Sequence, residues 1–239
     1  MQTKHGKHQQ LMKFQIVLLC LFFLVELNAT PFYFKSYDME DGLSNNHVTC
    51  CVQDDYGFMW FGTRDGLNRF DSKKFYTFKS YSSEKGSLMS SYILDLAKSP
   101  TGQIWVSTNL GLQKYDYQTD SFTLIDFTKG INCYSLQFDQ QGNLWMILNG
   151  YSLVKYNESQ GMHLNYMYKG SDPITSFYIT PQDQIWATTA NGNVVFLDDD
   201  KNEFIALDIK NLDKNHPIDD MTAISVSYTH LTLPTILLV

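Results

Sequence analysis

Gly57-Phe58-Met59-Trp60-Phe61-Gly62-Thr63-Arg64-Asp65-Gly66-Leu67-Asn68-Arg69-Phe70-Asp71 is answered further along the chain by Gly102-Gln103-Ile104-Trp105-Val106-Ser107-Thr108-Asn109-Leu110-Gly111-Leu112-Gln113-Lys114-Tyr115-Asp116, and the two align without a gap. A third copy runs from Gly142-Asn143-Leu144-Trp145 to Lys155-Tyr156-Asn157, with one extra residue before its closing aromatic. The fourth runs from Asp183-Gln184-Ile185-Trp186 to Gly192 and Phe196, with aspartate where the others have glycine. The tryptophans therefore recur at intervals of 45, 40 and 41 residues, the mark of a repeat protein.

A period of this length, made of short apolar stretches separated by Gly, Asn and Asp, is what four strands and their turns need; a helical pair would need longer stretches at 3.6-residue spacing. The pattern predicts an all-β fold, a β-propeller with four complete four-stranded blades of a larger ring and the start of a fifth. In the first repeat, 48–53 reads as the inner strand, 54–57 as a tight turn and 58–63 as the second strand. After the turn 64–66 come the third strand, 67–70, a further turn and the outer strand, 75–78. The same parse puts inner strands at 93–98, 133–138 and 174–179, and blades at about 48–78, 93–125, 132–168 and 174–208. Trp60, Trp105, Trp145 and Trp186 are assigned a structural role, filling the wedges between blades, because a duty shared by every repeat is packing rather than recognition.

The chain has 239 residues, 44% hydrophobic and 15% aromatic, enough for a sizeable core of sheets. A net charge of -7 leaves no basic stripe to neutralise phosphates, which argues against nucleic acid as a partner. Residues 1–29 read as a secretory signal: Lys4, Lys7 and Lys13 precede the apolar run from Ile16 to Val25, and cleavage falls after Ala29. That run is short of the ~20 residues that a spanning helix needs. Three cysteines, Cys50, Cys51 and Cys133, follow the signal. An odd number with two adjacent gives no disulfide framework, and Cys50 and Cys133 read as small buried residues.

Phe34-Lys35-Ser36-Tyr37 recurs as Phe78-Lys79-Ser80-Tyr81, each followed by a glutamate and a glycine, so the segment after the signal reads as the outer strand of another blade. His216-Pro217-Ile218-Asp219-Asp220-Met221-Thr222-Ala223-Ile224 reads as the opening of a fifth repeat, giving a partial propeller over 30–225. From Val226 the sequence matches nothing upstream. Val226-Ser227-Tyr228-Thr229-His230-Leu231-Thr232-Leu233-Pro234-Thr235 resembles the in-frame translation of a transposase adapter used in preparing DNA libraries, so 226–239 is read as a non-native tail.

No catalytic constellation emerges. Asp54, Asp55, Asp65 and Asp71 each fall in a turn, where aspartate bonds its own backbone. Asp198-Asp199-Asp200 with Glu203 lacks the alternating ligands and central glycine of a calcium loop and reads as a solvated hairpin turn. His47, His163 and His216 are scattered without metal-ligand spacing. No metal, cofactor or catalytic residue is expected, and no enzyme activity for this stretch. Ligand recognition has a geometric argument: the turns between second and third strands open on the same ring face as the blade-to-blade connections. Arg64, Asp65, Asn109, Asn149, Tyr151 and Asn191 fall in those turns, and His47 in a connection beside Asn45 and Asn46. Amides, an arginine and an aromatic suit sugar hydroxyls and carboxylates.

The elements Gly-x-hydrophobic-Trp-hydrophobic-(Gly/Ser)-Thr-x-x-Gly-Leu-x-(Arg/Lys)-aromatic-Asp, with Glu40-Asp41-Gly42-Leu43-Ser44 ahead of the inner strand, resemble the two-component regulator propeller repeat. The resemblance spans about Phe32 to Ile224 and is most specific in the first two repeats. It weakens at Leu148, which stands where Thr63 and Thr108 do, and at Asn193, which stands where Leu67 and Leu112 do. It implies a periplasmic sensor region of a hybrid histidine kinase that recognises an oligosaccharide or other small ligand. It further implies a homodimer in the full-length protein, with kinase and membrane anchor in downstream segments. The alternatives are a free-standing secreted propeller that binds glycans or proteins, and a propeller-fold polysaccharide lyase or glycosidase.

Overall fold

The computed structural model describes residues 34–81, 84–198 and 201–207. The signal sequence, the opening of a fifth repeat and the non-native tail, read at 1–29, 216–224 and 226–239, lie outside the described residues. All the strands belong to one compact unit that begins at Tyr37. They are β1 (Val48–Gln53), β2 (Met59–Thr63), β3 (Gly66–Phe70), β4 (Phe75–Phe78), β5 (Ile93–Lys98), β6 (Ile104–Thr108), β7 (Gly111–Asp116) and β8 (Ser121–Leu124). The second half holds β9 (Cys133–Phe138), β10 (Leu144–Leu148), β11 (Ser152–Asn157), β12 (Met162–Met167), β13 (Ile174–Ile179), β14 (Ile185–Thr189), β15 (Val194–Asp198) and β16 (Glu203–Leu207). Each consecutive four form one antiparallel meander, giving four blades. All four inner strands start and end at the residues the repeat predicts. Residues 34–38 carry no strand, contrary to the outer strand read there. The outer strands of the blades each pair with a third strand, as β4 does with β3.

Every inner strand carries an irregularity near its first residues. Pairing slips between Val48 and Cys50, between Ile93 and Asp95 and between Ile174 and Ser176, while in the third blade two residues, Ser135 and Leu136, face Met146 alone. A bulge sharpens the local twist of its strand, and here it falls at the second residue of the inner strand in three blades and one residue later in the third blade. Thr49, the extra residue in β1, donates Oγ1–H to the Ile93 carbonyl of the next blade at 2.9 Å.

Core residues fill the seams between blades. Trp60 and Leu67 of the first blade are buried against Leu96, Val106 and Tyr115 of the second. Trp105 and Leu112 meet Leu136 and Met146 of the third, and Trp145 and Leu153 meet Phe177 and Ala187 of the fourth. Trp186, with no following blade among the described residues, is only half-buried, tilted against Phe196 at 5.6 Å.

The residue six before each tryptophan separates the blades further. Asp54 Oδ1 accepts from the backbone N–H groups of Tyr56 and Phe58, closing the β1–β2 turn, and its Oδ2 accepts from the Trp60 indole at 2.8 Å. Asp139 repeats this, with the Trp145 indole at 3.0 Å. In the second blade the position is Ser99, whose hydroxyl still closes the turn by accepting from Gln103 N–H but does not reach the indole, so Trp105 Nε1 is buried without an acceptor. Ser99→Asp is expected to stabilise the chain by about 1 kcal/mol by giving that donor a partner; a rise in the denaturant midpoint at unchanged slope checks it, and no rise would show that a carboxylate at 99 does not reach the indole.

The connections between blades are held by an amide inside the third strand. Asn68 Oδ1 accepts from Ser44 N–H at 2.9 Å, and Gln113 Oε1 accepts from Met89 N–H at 2.6 Å. Both amides are buried, and each also donates back to its connection, at Ser44 Oγ and the Ser87 carbonyl. Leu43 and Leu88 thereby enter the core at matching points. In the third blade the position is Val154, and Ile125 and Phe127 pack there instead.

Candidate functional site

The turn face is built by the threonine of the repeat. Thr63 Oγ1 donates to the Gly66 carbonyl at 2.8 Å and accepts from Asp65 N–H at 3.1 Å; Thr108 does the same with Gly111 and Leu110. The hydroxyl bonds its own turn and so fixes the two residues it presents, Arg64-Asp65 or Asn109-Leu110. Gly66 closes the turn at φ 138°, and a Cβ there would stand 3.1 Å from the Phe78 carbonyl, so both backbone and space call for glycine. Leu148 has no hydroxyl. The third turn instead takes one more residue, with Asn149 at φ 50°, its Oδ1 accepting from Asn132 N–H at 3.3 Å. In the fourth, Asp172 of the preceding connection accepts from Asn191 N–H at 3.2 Å.

Arg64, Asp65, Asn109, Asn149, Tyr151, Asn191 and His47 are all exposed on this face. Arg64 N–H donates to the His47 carbonyl at 3.3 Å, and Asp65 pairs with Lys79 at 2.6 Å. Among the described residues no hydrogen bond joins two of the seven from different blades, so they stand as separate groups around the face. Sequence reading missed two apolar companions there: Tyr92, 37% exposed, and Leu110, 40% exposed. Leu110 occupies the place of Asp65, and an apolar residue in an exposed turn was the available signal.

On the other face, the turn reading of the aspartates holds. Asp71 accepts from Lys73 and Lys74 N–H, both at 2.8 Å, and Asp55 pairs with Lys98 of the next blade at 2.6 Å. Burial alone would push the Asp139 carboxyl up. Hydrogen bonds from the Asn143 side chain, the Trp145 indole, the Asn143 backbone and Lys155 outweigh it and hold the group below its ordinary 3.8. A lowered folded-state value means that the contribution of Asp139 to stability is complete above the ordinary value and is lost as pH falls through the folded one. Asp139→Asn is therefore expected to lose less stability than wild type between pH 5 and about pH 2, measured by denaturant melts across that range; equal losses would remove Asp139 as a cause of acid sensitivity.

Burial pushes the thiols of Cys50 and Cys133 up to about 12, which leaves them protonated and unreactive. Among the described residues no group of three His, Cys, Asp or Glu side chains is placed to hold a metal ion, and no helix is long and apolar enough to cross a membrane.

With this geometry in hand, the likeness to known proteins is specific at one place and broad elsewhere. Residues 42–65, from the Gly-Leu-Ser of the first connection to the first Thr-x-x-Gly turn, match the two component regulator propeller family. Over 67 residues the chain is 46% identical to histidine kinase P4 of Formosa agariphila, a stretch covering 27% of this chain and 5% of that protein. The extracellular domains of two hybrid two component systems of B. thetaiotaomicron share the fold. One is 21% identical with a TM-score of 0.55, covering 73% of this chain and 32% of that one. The other is 23% identical with a TM-score of 0.57, covering 67% and 22%. Virginiamycin B lyase of Staphylococcus aureus, 10% identical, has a TM-score of 0.57 over 74% of this chain and 60% of its own. The chain thus spans a third or less of the sensor domains and a twentieth of the kinase. Residues 42–65 thus carry the two component regulator propeller repeat, and across the four meanders the likeness to the hybrid two component sensor domains is one of propeller fold.

Proposed function

We propose that this propeller is the ligand-recognising part of a two-component sensor, exported to the periplasm and taking an oligosaccharide on its turn face. The observation that carries this reading is the set of exposed polar and aromatic side chains on turns fixed by Thr63 and Thr108, in a chain whose repeat matches regulator propellers. Arg64 and the three asparagines supply donors and acceptors for hydroxyls or a uronic carboxylate. Tyr92 and Tyr151 supply flat apolar surface for the faces of sugar rings. Because the seven groups stand apart, an extended ligand engages more of them than a monosaccharide. Binding acts by favouring one arrangement of a homodimer, whose bias reaches a histidine kinase elsewhere in the full-length protein.

A glycan array probed with the full chain tests the reading, with product analysis on every hit. Retention of at least one oligosaccharide that remains uncleaved is the expected result. Cleavage of the retained glycan would favour a propeller-fold lyase or glycosidase instead, and retention of none would remove the carbohydrate reading.

A further inference from the structure

The basic residue of the repeat falls at Arg69, Lys114 and Lys155, each directly across the sheet from the tryptophan of its own blade. Each cation lies over that indole, at 5.6, 5.9 and 5.2 Å from a ring centroid. At the first seam Arg69 reaches into the second blade, donating to Tyr115 Oη at 2.7 Å and pairing with Asp120 at 3.2 Å. At the second seam Lys114 pairs with Glu158 of the third blade. At the third seam the pattern breaks. Lys155 turns back to Asp139 of its own blade at 3.2 Å, and a cavity of about 240 Å³ opens between the third and fourth blades. Among the described residues it is lined by Asp139, Trp145, Lys155, Tyr166, Asp183 and Asn202.

Asp183 is the second break. It stands where Gly57, Gly102 and Gly142 do in the other repeats, and it keeps their left-handed backbone, with φ 60°. Aspartate is among the few L residues that adopt this region, so the turn is kept while a carboxylate is added where the other repeats have no side chain. The cavity holds three charges. The Lys155 ammonium is matched by Asp139, whose oxygens are further saturated by Asn143 and the Trp145 indole. Asp183 is matched by no cation among the described residues: Oδ2 accepts from the neutral Gln141 amide at 2.5 Å, and Oδ1 is buried without a donor. Trp145 and Tyr166, stacked 5.5 Å apart, add aromatic surface, which attracts cations. Leu164, paired with Lys155 and 54% exposed, continues the same strand face in apolar form.

We propose that this cavity binds a small organic ligand headed by a primary ammonium group, the ammonium donating to the Asp183 carboxylate and its carbon chain lying along Tyr166 toward Leu164. An ammonium supplies both things the cavity lacks, a positive charge and a hydrogen-bond donor. A hydroxyl supplies only the donor. A metal ion needs more ligands than the two carboxylates present, one of which is already saturated. The site lies on the face opposite the turns proposed for oligosaccharide, and it stands or falls independently of that reading.

Calorimetric titration of the full chain with n-butylamine near neutral pH, where it is butylammonium, tests this. Saturable one-to-one binding is expected, weakened tenfold or more by Asp183→Asn, which tolerates the left-handed turn. Asp183→Gly, which restores the residue of the other three repeats, is expected to abolish it. 1-Butanol, of the same length without the charge, is expected not to saturate. Absence of saturable binding to the wild type, equal binding of 1-butanol, or undiminished butylammonium binding in both folded variants would overturn the assignment.

Discussion

Trp60→Ala is expected to destabilise the chain by about 4 kcal/mol, among the largest losses a single substitution gives here. Trp60 is fully buried between the first two blades, stacked on Phe78 and edge-on to Tyr115, with centroids 5.7 and 4.8 Å away. Its removal leaves a void that two sheets must close, and each sheet is held in place by its own hydrogen-bond ladder. The comparison that gives the number meaning is Trp186→Ala, where the indole is half-buried and the expected loss is about 2 kcal/mol. Urea melts of both variants check the pair. Equal losses would mean that the repeated indole acts within its own blade rather than as the wedge between two.

Asp54→Ala is expected to lose about 3 kcal/mol although it removes only a small polar side chain. Four donors converge on that carboxylate: the N–H groups of Tyr56 and Phe58, the Trp60 indole, and the Tyr117 hydroxyl of the second blade at 3.1 Å. Asp54 is itself buried, so the abandoned donors are not all rescued by water. Asn keeps an acceptor for the turn but sets an amide N–H against the indole or the phenol, so Asp54→Asn is expected to fall between, at about 1–2 kcal/mol. Asp55, one residue on and exposed, makes only a surface pair with Lys98, and Asp55→Ala is expected to change stability by less than about 1 kcal/mol. A loss at Asp54 no larger than at Asp55 would contradict the capping role.

These neighbours show what the sequence made legible. Asp54 was readable as a turn residue, because aspartate before a glycine at the end of an apolar run is a local signal. Its hold on Trp60 was not, because that contact depends on how far the turn folds back over the second strand. The four inner strands were legible to the residue, since turn residues bound each of them on one side and the tryptophan spacing fixes their phase. The bulges at their starts were hidden: Thr49, Ser135 and Thr175 are hydroxyl residues of a kind common in regular strands, Leu94 is apolar, and Ser135 takes its φ of 56° without being a glycine. The buried amides Asn68 and Gln113 occupy the one variable position of Gly-Leu-x-(Arg/Lys), where a polar residue reads as solvent-facing until the connecting segment is seen to cover it.

On the turn face, residue identities were legible but their spacing around the ring was not. Thr63 and Thr108 set the turns from within the motif, so the exposed placement of Arg64, Asp65 and Asn109 was legible. Tyr92 and Leu110 were missed because each repeat carries a different residue at those places. The change at Asp183 was visible from the alignment as a lost glycine. Its significance needed the third seam, where Lys155 folds back to Asp139 beside a cavity that Asp183 also lines.

Oligosaccharide recognition by the turn face, without transformation of the glycan, is the proposed role of this propeller. Isothermal titration of an array-selected oligosaccharide into wild type and into an Arg64→Ala, Tyr151→Ala double variant measures it. Saturable binding to the wild type is expected, with a tenfold or greater weakening in the variant at an unchanged melting temperature and intact glycan recovered from the cell. Undiminished affinity in the variant would place recognition away from this face, and recovery of cleaved glycan would make the protein an enzyme.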